Sequence, residues 1–155
     1  MNYFWLTLKH KWYVYIAGRK LKVPLWRLIK HDWTKFTFCE YFAYQNQFFG
    51  KKDDPTNFAI AWIHHMNHND HHWEYWSDRS GDNMSSFYFE MPDVCVREMI
   101  ADWFAACKAY DGFWPSQDNW PWILKNFHKI KLNHFTRIKV VQLLKEQNID
   151  LRKML

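Results

Sequence analysis

Five of the nine histidines in this 155-residue chain fall between His64 and His72. Imidazoles packed that densely repel one another once protonated, and each buried one needs a hydrogen-bond partner or a cation. A chain that concentrates them must fold so that acids or a metal ion come to meet them. Acids stand at His31-Asp32 and at Asp102, His10 precedes both, and Lys35 lies three residues past Asp32. Imidazole and carboxylate suit Mn, Fe, Co, Ni and Zn, and one carboxylate can bridge two ions. The pattern predicts a divalent transition-metal site of one or two ions. A purely structural cluster, hydrogen bonded without metal, is the alternative.

Bringing residues so far apart in sequence to one point requires long-range packing, and the periodicity says that helices do it. Apolar residues make up 48% of the chain against only four glycines and five prolines, which opposes disorder and a turn-rich β sandwich. Residues 3–17 are apolar on nearly every side of a helix, the mark of a buried one, with Gly18 as its end. Pro24 suits the first turn of a second helix that carries His31 and Asp32 near its end. Thr37 and Glu40 have capping-box spacing and open a third helix that stops at Gly50. Pro55 starts a fourth, which ends near the histidines, and residues 67–70 favour a turn before His71 and His72. Residues 77–86 are polar and form a loop beside the site.

The strongest later pattern is residues 93–110, where Val96, Ile100, Trp103 and Cys107 repeat at helical spacing with Asp102 beside them. A helix of about ten residues follows the loop 113–122. Asn133 then caps a last helix whose Ile138, Val141 and Leu144 point inward. The expectation is an all-α, single compact domain over residues 1–147, with about six or seven helices, and a frayed basic tail over 148–155.

Net charge is +5, spread as +7 over residues 1–35, −8 over 36–119 and +6 over 120–155. If the basic ends meet, they suit an anionic small molecule or a nucleic acid; solvated helix faces are the alternative. Cys39, Cys95 and Cys107 show no metal-ribbon or disulfide spacing, which fits a reducing cytoplasm. The apolar run 12–17 is too short to cross a bilayer, so no membrane is expected. Eleven tryptophans exceed ordinary usage; most should pack in the core, with some lining a cavity or partner surface. No phosphate-binding glycine loop or nucleophile elbow is present.

The order His10, His31-Asp32, a later histidine pair and Asp102 resembles the HD superfamily, whose helical domains bind one or two metal ions and mostly hydrolyse phosphate esters. By that resemblance His10, His31, Asp32 and Asp102 hold the first ion. Asp32 bridges to a second, held by histidines from His64, His65, His71 and His72, and Lys35 contacts phosphate or water. The segments Lys9-His10-Lys11-Trp12, His31-Asp32-Trp33-Thr34-Lys35-Phe36, His64-His65, His71-His72-Trp73-Glu74 and Ala101-Asp102-Trp103 also look like a short, uncharacterised HD-related family of bacteria and phages, over residues 7–104. The resemblance implies a metal-dependent phosphohydrolase acting on a nucleotide or other phosphate ester in a bacterial or phage-infected cell. Two other readings remain: an HD-type di-iron oxygenase, and a non-catalytic, metal-containing phage protein that binds a nucleotide or partner.

Overall fold

The computed structural model describes residues 2–78 and 87–153. Its architecture is all-α. The helices are α1 (Tyr3–Lys20), α2 (Leu25–Lys30), α3 (Phe38–Phe49), α4 (Pro55–His68), α5 (Asp93–Tyr110), α6 (Pro121–Asn126) and α7 (His134–Glu146). Short 3-10 turns at Trp33–Phe36 and Trp73–Trp76 join them. Among the described residues the only β pairing is the single bridge between Ser77 and Tyr88. Of the expected loop 77–86, residues 79–86 lie outside the described residues.

The domain is built on α1 and α5. Lys9 Nζ donates to Ala109 O at 3.3 Å and Arg97 donates to Leu21 O at 3.2 Å, so the two helices run antiparallel. That pairing sets His10, midway along one helix, beside Asp102 on the other. Val14, Ala17, Val96, Ile100, Ala101 and Ala105 are buried along the seam, where small side chains let the backbones approach closely. The core continues through Trp120, Ile123, Val140, Leu143 and Leu144. A second, smaller core of Tyr3, Ala43, Tyr44 and Ala61 joins the α3–α4 hairpin to the start of α1.

Several sequence expectations are corrected. Gly18 does not end α1, which runs on to Lys20. It sits where Leu28 crosses, and a Cβ there would lie 2.3 Å from Leu28 Cδ2, so the glycine serves close packing and not termination. Nor is α1 buried all round: Trp5 and Trp12 are 61% and 59% exposed because its partners cover only one side. Of the eleven tryptophans Trp120 alone is fully buried, against the expectation that most pack inside. The predicted ten-residue helix is shorter, Pro121–Asn126 followed by a 3-10 turn at Phe127–Lys129. In α7 Val140, Leu143 and Leu144 are buried and Val141 packs half-buried against the core, so of the three expected inward positions only Ile138 is exposed. The chain after Asn148 is not frayed as far as Lys153, since Ile149 and Leu151 are buried in the main core.

Candidate metal centre

Asp32 lies at the sharpest reversal of the chain. Helix α2 ends at Lys30 with His31 as its C-cap, Asp32 takes a left-handed conformation (φ 53°), and a 3-10 turn follows at once. Aspartate tolerates that region better than most side chains. Lys11 donates to the carbonyls of Ile29 and His31, so a cation closes the open carbonyl end of α2. The reversal points the Asp32 carboxylate inward, where it is 1% exposed.

Each oxygen of that carboxylate faces a different set of donors. Oδ2 lies 3.5 Å from His10 Nε2 and 3.4 Å from His31 Nε2; Asp102 Oδ1 lies 2.8 Å and 3.5 Å from the same two nitrogens. Oδ1 lies 3.3 Å from His65 Nε2 and 3.4 Å from His71 Nε2, and His72 Nε2 is 3.0 Å from His65 Nε2. Both quartets, His10–His31–Asp32–Asp102 and Asp32–His65–His71–His72, have their donor atoms within 4.8 Å of one another. His10 Nε2, His31 Nε2, His71 Nε2 and Asp32 Oδ1 are buried and make no hydrogen bond of proper geometry. Buried polar atoms without partners are rare, and here they converge on two points that share one carboxylate. That donor set fits one divalent transition metal at each point.

The outward-facing ring nitrogens are tied down by acids. Glu98 Oε1 accepts from His31 Nδ1 at 2.9 Å and lies 3.5 Å from His71 Nδ1. Glu40 accepts from His65 Nδ1 at 2.9 Å and from His64 Nδ1 at 2.8 Å. A histidine that donates Nδ1–H to a carboxylate turns the Nε2 lone pair inward and becomes a stronger ligand. Glu98 in turn pairs with Arg27, which also grips Asp70.

Of the residues expected at the site, His10, His31, Asp32, His65, His71, His72 and Asp102 come together. His64 does not join either quartet; it is half-buried and turned to Glu40. His68 is exposed and bonds to His64 O, and His128 and His134 are exposed away from the cluster. Lys35 Nζ meets Asp32 Oδ2 at 2.5 Å. Glu40 was missed as a site residue because its spacing from Thr37 reads as a capping box. The helix does start there, but the Thr37 hydroxyl bonds to Thr34 O and Glu40 goes to the histidines. Arg27 and Asp70 carried no signal separable from surface charge.

Protonation follows from this crowding. Burial pushes the Asp32 carboxyl up, yet His31, Lys35 and His65 together hold it well below the usual range. Burial pulls His31 and His65 down, but Asp32 beside each leaves both raised, His31 strongly. His72 is depressed by burial and by His71 and His65, and His71 by burial and His31. A proton therefore occupies His31 and His65 above the ordinary histidine value of 6.5. A cation taking Nε2 must expel it, so apparent zinc affinity should rise with pH and keep rising above 6.5, by about tenfold per unit for each proton displaced. Calorimetry in buffers of different ionisation enthalpy counts those protons; an affinity flat from pH 6.5 to 8 would contradict the assignment.

Besides a cavity of about 390 Å³ that reaches His31, His71 and Glu98 from the side of Arg27, two cavities open on the centre. One of about 220 Å³ is lined by Tyr3, Lys35, Tyr44, Tyr110, His65 and His72 among others. Burial raises the phenols of Tyr3, Tyr44 and Tyr110, and the hydroxyls of Tyr3 and Tyr44 have no partner. The other, of about 310 Å³, is walled largely by tryptophans. Both share His72, Asp102 and Tyr110.

A family described as one of unknown function, DUF5662, matches residues 1–146. No curated protein and no solved structure matches the chain. Among the described residues no helix is long and apolar enough to cross a membrane.

Proposed function

This chain belongs to the DUF5662 family, and from the site itself we propose that it is a metal-dependent phosphohydrolase with an HD-type dinuclear centre, acting on a nucleotide or other phosphate ester. The observation that carries the reading is Asp32 presenting one oxygen to each of two histidine-rich donor sets. His10, His31, Asp32 and Asp102 would hold one ion and Asp32, His65, His71 and His72 the other. Divalent ions held there supply Lewis acidity toward water and toward phosphoryl oxygens.

The chain's own groups suit an anionic ester. Lys35 is held well into its charged form by Asp32, despite burial, and its ammonium can turn from that carboxylate to a phosphoryl oxygen. The phenols of Tyr3 and Tyr44 stay protonated because burial raises them, so they remain donors in the cavity that Lys35 enters. Glu98 and Glu40 fix the ligand histidines so that little reorganisation accompanies the reaction.

The test is elemental analysis of protein purified without chelator, then a screen of phosphomonoesters, cyclic nucleotides and nucleoside triphosphates with Mn, Fe, Co and Ni. Up to two ions per chain and phosphate release abolished by chelator are expected. Product formation that requires dioxygen would reassign the centre to oxidation. Ligand binding with no turnover under any metal would make it a binding protein.

A further inference from the structure

The tryptophan-walled cavity, about 310 Å³, lies against the second donor set. Its wall carries Trp73, Trp103 and Trp122, the last two with ring centroids 5.7 Å apart and planes inclined by 49°. Glu74, Asp102 and Asp111 also line it, whereas no lysine or arginine does among the described residues. That combination discriminates between occupants. Away from the donor sets, a further phosphate would face Glu74 and Asp111 with no lysine or arginine beside them to receive it. A neutral apolar group would cover the indoles but strip water from the acids without replacing it, which is costly. A cation with an apolar surface satisfies both, because indole faces attract it through their quadrupole and the carboxylates through charge.

We infer that this cavity binds a methylated or quaternary ammonium group. Resting on the phosphohydrolase reading above, the substrate class becomes a zwitterionic phosphomonoester of a small amino alcohol. The two cavities meet at His72, Asp102 and Tyr110, so a phosphate beside Lys35 and an ammonium among the tryptophans flank the same ligands. The dianionic phosphate then lies between the metal centre and the ammonium and offsets the repulsion between them.

The probes are choline and 3,3-dimethyl-1-butanol, which share a shape and differ in charge, titrated by calorimetry into the full chain as purified with inorganic phosphate present to take the ester's place beside Lys35. Neither carries phosphate nor needs turnover, so this test stands apart from hydrolysis. Choline should bind about tenfold more tightly than the alcohol. Glu74→Gln should narrow that gap, and Trp103→Leu should weaken choline more than it weakens the alcohol. Equal binding of the two, binding of neither, or adenosine binding more tightly than choline overturns the inference. If choline discriminates as expected while phosphocholine is not hydrolysed with any metal, the ammonium site stands and the phosphohydrolase reading falls.

Discussion

Replacing Asp32 by asparagine is expected to empty both ion positions and to lower phosphate release by more than about 100-fold, beyond the usual effect of losing a group that merely orients a ligand. Asparagine is the informative substitution because the backbone there is left-handed (φ 53°), a conformation that asparagine adopts as readily as aspartate and alanine does not. The chain reversal should survive while the charge is lost. One consequence must be separated from ligation: Lys35, only 13% exposed, is left without its partner at 2.5 Å, and an uncompensated buried charge costs about 3 kcal/mol. The double variant Asp32→Asn with Lys35→Met should regain most of the melting temperature and none of the metal. Metal content by elemental analysis and Tm by circular dichroism check the two effects independently. Two ions retained by the single variant would remove Asp32 as the shared ligand and, with it, the dinuclear reading.

Why some of this centre could be read from sequence and some could not follows from helix geometry. His10 and Asp102 each sit on an uninterrupted helix, but apolar spacing marks a partner face only on α5, since α1 is apolar on nearly every side; their meeting was implied by the resemblance and not by periodicity. The pair His64-His65 was not resolvable. Consecutive side chains on a helix diverge by about 100°, so only one could reach Asp32, and nothing local says which. His71 and His72 follow the end of α4 in a turn, where neighbouring side chains are free of that constraint and both arrive. Of the orienting acids, Glu98 could be placed near the site by its spacing, one helical turn before Asp102, whereas Glu40 was hidden for another reason. Glu40 satisfies a local rule that predicts a helix start, and the rule succeeded while its assumed hydrogen bond did not form. In α7 two faces, Ile138-Val141-Leu144 and Val140-Leu143-Leu144, fit a helical period equally well. The choice between them was made by long-range packing in a core that also holds Ile149 and Leu151.

The two orienting acids should have different reach, which gives the most discriminating experiment after Asp32. Glu98 is 2% exposed and its Oε1 lies 2.9 Å from His31 Nδ1 and 3.5 Å from His71 Nδ1, one ligand from each donor set. Glu40 is fully buried and serves His65, a ligand of the second set alone, together with the non-ligand His64. Substituting glutamine turns an acceptor oxygen into a donor amide: in Glu98→Gln that amide opposes Arg27 or a histidine N–H, and in Glu40→Gln it opposes His64 or His65. The ligand rings then lose their fixed orientation and basicity, which costs about 10–100-fold in metal affinity. Glu98→Gln should therefore weaken both ions together, whereas Glu40→Gln should weaken one and leave the other at its wild-type affinity. Stepwise titration of metal-free protein with cobalt, followed by its visible absorption, resolves the two steps. An identical loss of both steps in the two variants would mean that these acids act through general destabilisation of the buried cluster and not through the histidines they touch.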